Sequence, residues 1–254
     1  MTKKPTSTSW EPVSRWYDEA VGKTGHYYHE HVILPKLLPL LQPEESLLDL
    51  ACGQGILSKH LSPNRTYLGV DISKSLINSA KQQNKNKLHT FLVSDITLPL
   101  TLPKKDFSFC TILLAIQNLQ NPLGALQNAF HHMKPGGRLA IVMNHPCFRI
   151  PRQSSWGVDS EKKIQYRRID KYMSSLKIPI QSHPSKGETS EQTFSFHAPL
   201  TSWTLWLKEA GFSVEWMEEW CSDKKSTGKC AKMEDISRNE FPLFLCLIAK
   251  RSLS

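Results

Sequence analysis

The stretch LLDLACGQG, Leu47 to Gly55, followed by GVDIS from Gly69 to Ser73, constrains this chain more than any other feature. An apolar run that ends in Asp49 and passes into a Gly53-x-Gly55 turn describes a buried parallel strand. The carboxyl end of such a strand opens into a loop whose bare backbone can approach a ligand. A second apolar run ends at Asp71. A carboxylate there can accept hydrogen bonds from two vicinal hydroxyls at once, which suits the ribose of an adenosine-containing ligand.

Dinucleotide sites share this topology, and two features set this chain apart from them. Their fingerprint places a third glycine where this chain has Ser58, so that a pyrophosphate can press against a free helix N-terminus. Asp49 also puts a negative charge beside the loop, which repels a pyrophosphate but helps hold an ammonium and orient loop amides toward a carboxylate. The ordered series DLACGQG, GVDIS, VSDI and MKPGG between Asp49 and Gly137 resembles the successive motifs of the class I S-adenosylmethionine-dependent methyltransferases. That resemblance implies S-adenosylmethionine as cofactor, a ligand that carries both an ammonium and a carboxylate.

The fold class expected is α/β: a doubly wound, Rossmann-like, seven-stranded sheet of order 3-2-1-4-5-7-6, its last strand antiparallel, with an insertion after strand five. The strands predicted from the residues are Ser46 to Leu50, Tyr67 to Asp71, His89 to Ser94, Phe107 to Ile116, the run after Pro135-Gly136-Gly137, Ser213 to Glu219, and Phe241 to Lys250. Helices are expected through Ile56, Leu57 and His60, after a Ser73 cap, from Pro122 to Met133, and from Trp203 to Ala210 with Gly211 as terminator. The pattern is also helical from Trp16 to Leu41, with Tyr17, Tyr27, Tyr28 and His29 placed to form a lid. A single domain over residues 1–254 is the economical reading, with residues 1–45 as a lid segment and 147–200 as the insertion.

Between Cys147 and Leu200 the strand-helix rhythm stops, yet the segment is rich in aromatics. We read it as a substrate-side insertion, the alternative being a structureless linker around the polar stretch Gln181 to Gln192. The strings NHPCFRIPRQSSWG, YRRIDKYM, FHAPL and EFPLFLCLIAK are similar to a bacterial group of type 11 methyltransferase-domain proteins whose substrate is not established. An arginine often follows the histidine of FHAPL in that pattern. This chain has Ala198 there, so an anion contact by that arginine does not carry over.

Composition bounds the partners. No apolar run approaches the roughly 20 residues of a membrane span, and Met1 to Trp10 is polar with no apolar signal segment, so the expected location is cytoplasmic. The six cysteines form no CxxC pair or zinc-spaced cluster, and no metal is expected. A net charge of +9 keeps an anionic substrate or RNA open, because Lys162 to Lys171 concentrates basic residues in the insertion.

On the family's pattern, the loop backbone of Ala51, Gly53 and Gly55 lies against the methionine half of the cofactor with Asp49 beneath. Asp71 takes the ribose hydroxyls, Ile72 packs on the adenine, and Asp95 with the Ile96 backbone meets the ring edge. On the acceptor side His145, at the end of strand five, is the candidate general base, with NHP as a plain polar turn the competing reading. Tyr28, Gln117, Asn118, Asn144 and His197 are candidate substrate contacts, His197 being a second candidate base. Three functions follow: a small-molecule methyltransferase acting by in-line transfer, an RNA or protein methyltransferase, or a noncatalytic S-adenosylmethionine-binding protein. Oligomeric state is not legible from the residues.

Overall fold

A computed structural model describes residues 25–42, 46–181 and 192–253. Tyr17, most of the proposed lid and the centre of the polar stretch after Gln181 lie outside the described residues.

Seven strands form the central sheet: β1 (Leu47–Leu50), β2 (Tyr67–Asp71), β3 (His89–Val93), β4 (Phe107–Leu113), β5 (Met133–Asn144), β10 (Phe212–Trp220) and β11 (Phe244–Arg251). Their spatial order is β10-β11-β5-β4-β1-β2-β3. The first five pair in parallel, and β11 runs antiparallel to both β5 and β10. This is the expected topology, with the order reversing beside β1, where open α/β sheets bind ligands at their carboxyl edge.

Both faces of the sheet are covered, which is why the central strands read as continuous apolar runs. One face, including Leu48, Val70, Ile112 and Ile141, packs against α3 (Pro122–His132) and α4 (Leu200–Glu209). The other, including Leu47, Phe109 and Val142, packs against α2 (Lys74–Gln83) and a helical stretch running from a π turn at His29–Ile33 through α1 (Leu34–Leu37) to a 3-10 turn at Leu38–Leu40. Pro35 and Pro39 fall within that stretch, where the ring removes a backbone donor and shortens each regular turn.

Several local expectations are corrected. After the glycine turn there is only a 3-10 turn at Leu57–His60, because Pro63 leaves too few residues for a longer helix before β2. Strand β4 ends at Leu113 rather than Ile116: Leu114 adopts φ +53° and turns the chain into a 3-10 turn at Ile116–Asn118. The MKPGG turn lies within β5, where the register jumps from Met133 opposite Phe107 to Arg138 opposite Phe109. Helix α5 (Ala231–Glu240) stands between β10 and β11, which pair as the expected antiparallel edge without being a tight hairpin. The moment of α5 is carried by few apolar residues, so it was invisible to an apolar periodicity.

The insertion is ordered where described. It makes two antiparallel ladders, β6 (Ser154–Asp159) with β7 (Ile164–Ile169), and β8 (Leu176–Gln181) with β9 (Gln192–His197). Helix α5 braces the first ladder, the Ser237 hydroxyl donating to the Gln165 carbonyl at 3.0 Å.

One buried side chain holds the loop after β3 in place. Asn128 of α3 donates to the carbonyls of Ile96 and Leu98 at 2.8 and 2.7 Å and accepts from the Leu100 amide at 3.0 Å. Asn128→Ala leaves these buried backbone groups without their partner, and we expect a loss of about 2–4 kcal/mol in urea unfolding at neutral pH. A loss below about 0.5 kcal/mol would mean that the loop is held by something else.

Candidate active site

Asp49 lies at the centre of the carboxyl edge, only 2% exposed. Its register partners are Thr111 on β4 and Gly69 on β2. The Thr111 hydroxyl donates to Oδ1 and the Tyr67 hydroxyl to Oδ2, each at 2.7 Å. A Cβ on Gly69 would come within 2.7 Å of Cys52 Sγ and 2.9 Å of the Tyr67 hydroxyl, so glycine there makes the room in which Tyr67 reaches Asp49. Burial pushes the Asp49 carboxyl up to about 6, against the two hydroxyls that favour its ionised form, and the nearby Asp71 charge adds to the rise.

Asp71 ties the first loop to the end of β2. Its Oδ2 accepts from the Gly53 amide and its Oδ1 from the Ser73 amide, both at 2.8 Å. Ser73 in turn caps α2, its hydroxyl accepting from the Leu76 amide at 3.2 Å.

The loop itself is held in left-handed backbone: Ala51 at φ +59°, Gly53 at +56° and Gly55 at +73°. A Cβ on Gly55 would sit 2.7 Å from Phe91 Cε1, so packing beneath the loop fixes this glycine as well as any ligand above it. Ser58, at the place of the missing third glycine, donates to the Gly55 carbonyl at 2.6 Å and accepts from Asn84 at 2.8 Å. Ile72 is 45% exposed beside Asp71, an apolar surface where a flat ring can lie. Asp95 accepts from both the amide and the hydroxyl of Thr97 through Oδ1, at 2.8 and 2.7 Å, as the cap of its own turn. Ile96 is buried in the core, its carbonyl held by Asn128.

A second feature opens on the same edge, at the ends of β4 and β5. It is a shallow cleft, partly open to solvent, bounded by Gln117, Asn144, Arg149, Ser195, His197 and Trp203 among others. The sheet supplies one wall and the insertion strand β9 the other. Gln117 and Asn118 both turn an amide toward the Leu114 carbonyl, at 3.3 and 3.4 Å, while Gln117 Oε1 is buried without a hydrogen-bond partner. Asn118 stands beside the cleft rather than in its wall. Tyr28 also stands outside the wall, its hydroxyl 3.1 Å from that of Ser222 and its ring edge-on to Phe244.

The two candidate histidines differ in what is left free. His145 is 2% exposed, and the Cys147 amide donates to its Nδ1 at 3.2 Å. Nε2 therefore carries the proton and donates to Glu219 at 2.8 Å, leaving no nitrogen to accept a proton from an acceptor molecule. Burial holds its pKa below the usual histidine value, although Glu219 pulls the other way. At His197, Nε2 donates to the Tyr172 carbonyl at 2.7 Å. Nδ1 is then the unprotonated nitrogen of a ring in the cleft wall, and burial lowers this pKa too, opposed by the bond to Tyr172.

Sequence reasoning missed Thr111, Tyr67 and Arg149. Thr111 had a signal, being a lone hydroxyl within the apolar run of β4. Tyr67 and Arg149 had none, since their roles depend on strand pairing that brings their neighbours to them.

Comparison with known proteins agrees with this geometry. Residues 48–141 match the methyltransferase domain family. Over these residues the chain is similar to the class I S-adenosylmethionine-dependent methyltransferases, whose fold it shares. The chain is 30% identical over 116 residues to a demethylmenaquinone methyltransferase of Lactococcus lactis, covering 43% of this chain and 46% of that one. It is 32% identical over 119 residues to a ubiquinone biosynthesis O-methyltransferase of Coxiella burnetii, covering 43% and 50%. The chain thus spans about half the length of the curated relatives it matches. Among solved structures, an S-adenosylmethionine-dependent methyltransferase from Mesorhizobium loti superposes with a TM-score of 0.66 at 23% identity, over 85% of this chain and 96% of that one. The cofactor of this class is S-adenosylmethionine. Among the described residues no helix is long and apolar enough to cross a membrane, and no three His, Cys, Asp or Glu side chains gather as metal ligands.

The bond from Tyr67 to Asp49 generates a pH-dependent expectation. A hydroxyl donates more strongly to a carboxylate than to a neutral carboxyl, and Asp49 changes between the two near pH 6. Tyr67→Phe is therefore expected to cost about 1–3 kcal/mol at pH 8 and clearly less at pH 5, read from urea unfolding at both. Equal losses at the two pH values would show that the hydroxyl does not act through the carboxylate.

Proposed function

We propose that this chain transfers the methyl group of S-adenosylmethionine to a small-molecule acceptor held in the cleft between β5 and the insertion. The observation that carries this reading is the placement, on one carboxyl edge, of a buried Asp49–Asp71 pair beside a separate cleft that contains a histidine with a free acceptor nitrogen. The donor set suits the cofactor: two buried carboxylates would favour a cationic ligand with a ribose diol, and Ile72 would give its adenine an apolar surface. Asp71 would hold the ribose, the loop amides around Gly53 the methionine end, and the turn at Asp95 and Ile96 the adenine edge.

When bound, S-adenosylmethionine supplies a methyl carbon on a cationic sulfur, a leaving group that departs neutral. The chain's residues then need chiefly to position the acceptor, which is worth roughly 7–11 kcal/mol when the geometry is right. Gln117 Oε1 offers an acceptor for a donor group on the substrate. His197 Nδ1 takes the proton where the acceptor is a hydroxyl, and the Tyr172 carbonyl steadies the imidazolium that results. His145, with both nitrogens engaged, positions the turn after β5 against β10. The names of the matched relatives support a small acceptor. The RNA reading has less to stand on, because Lys162 and Arg168 of the insertion are already paired, with Asp159 at 3.9 Å and Asp170 at 3.2 Å.

Two measurements test this. In calorimetry, Asp71→Ala should weaken S-adenosylmethionine binding at least about tenfold in a folded protein, since hydrogen bonds to a charged group are lost. Affinity of the unmodified chain should rise as pH goes from 5 to 7: Asp49 ionises near 6, and a cationic ligand favours the charged form. Unchanged affinity in the variant would remove the ribose assignment. For turnover, a metabolite extract incubated with methyl-labelled cofactor identifies the acceptor. His197→Ala should then lower kcat at least about a hundredfold with cofactor affinity intact, and near-normal turnover would exclude it as the base.

A further inference from the structure

Arg149 in the cleft wall shares an aromatic ring with a second cation, Arg167, behind it. The guanidinium of Arg149 lies 5.4 Å from the Trp156 ring centroid and that of Arg167 lies 5.0 Å from it, so the two share one indole. Trp156 is itself set edge-on against Phe241 at 5.4 Å. Arg167 is pinned, donating from Nε to the Phe148 carbonyl at 2.9 Å and from Nη2 to the Ser154 hydroxyl at 2.7 Å. Arg149 has only two long bonds, to the Pro242 and Phe241 carbonyls, both at 3.4 Å, and it borders the cleft.

Neither guanidinium meets a carboxylate within 4.0 Å among the described residues. Glu219, which like Arg149 acts on His145, is bound to that histidine. Tyr28 and Cys221, which also face Arg149, are ordinarily neutral near pH 7. Burial and the charge of Arg167 together press Arg149 down to about 10, the mark of a cation missing a partner. Half-buried arginines are normally paired, because a desolvated charge is costly without a counter-charge, and a planar fork suits a carboxylate or phosphate.

We propose that the acceptor molecule is anionic, and that Arg149, backed by Arg167, binds its carboxylate or phosphate group in the cleft. This rests on the methyltransferase reading and narrows its substrate class. An anion here would be drawn to the acceptor side while the carboxylates of Asp49 and Asp71 repel it from the cofactor side, so charge sorts the two ligands between the two halves of the edge.

The test uses three aromatic probes of similar size in low-salt buffer: benzoate, phenyl phosphate and the neutral benzamide. Each is titrated by calorimetry into the full chain saturated with S-adenosylhomocysteine, whose own binding is measured first on every sample. We expect at least one anion to bind at least about tenfold more tightly than benzamide, and Arg149→Gln to abolish that preference. Arg149→Lys, which keeps the charge and loses the fork, should retain part of it. Whichever anion binds better distinguishes carboxylate from phosphate. Anions that bind no better than benzamide to the unmodified chain overturn the proposal, whether or not the glutamine variant folds. So does a folded Arg149→Gln chain that keeps the preference. Loss of S-adenosylhomocysteine binding by the unmodified chain would instead strike the methyltransferase reading itself.

Discussion

The buried carboxylate of Asp49, held between hydroxyls from the strands on either side, is the interaction on which the site depends. Thr111 from β4 and Tyr67 from β2 both donate to it, so three adjacent strands are joined by one side chain. A carboxyl in this position pays for burial with a raised pKa, and only the two hydroxyls limit the rise. Its neighbours follow from it. Gly69 lacks a side chain so that Tyr67 can reach, and Asp71, one strand over, fastens the glycine loop above through the Gly53 amide.

Charge divides the carboxyl edge. The ends of β1 and β2 present two buried acids, whereas the ends of β4 and β5, closed by the insertion, present Arg149 and a histidine with an available nitrogen. A single parallel sheet provides both halves because every strand of the first five delivers its following loop to the same edge. The insertion adds what the sheet cannot. Strand β9 brings His197 back over the cleft, and Tyr172 fixes its tautomer through a backbone carbonyl. The Tyr172 hydroxyl also accepts from the Leu200 amide at the start of α4, which links the insertion to the helix that follows it.

The strand ends and the glycine loop were legible because they are written locally. Asp49, Gly53, Gly55 and Asp71 stand at the ends of short apolar runs, and the ordered motifs that follow mark the remaining strand ends. Helix α5 and the truncated turn after Gly55 were not legible. The first has too little apolar periodicity, and the second is set by how few residues separate Gly55 from β2. His145 shows the limit most directly. The residues placed a histidine at the end of β5, but whether it can act as a base depended on Glu219, far along the chain on β10, and on the Cys147 amide.

From the residues alone came the doubly wound sheet, its strand order, the acids at its first two strand ends and the existence of an insertion. The strand positions are consequences of apolar runs and glycine turns, short-range in the chain, and the strand order is what the resemblance carried by the motif order implies. Tertiary structure alone decided which histidine keeps a free nitrogen, that Asp49 is shared between two hydroxyls, and that two arginines meet on Trp156 without a counter-ion. Each of these depends on how separate strands are brought together, and hydrogen-bond and charge pairing act over a few ångströms of space irrespective of separation along the chain.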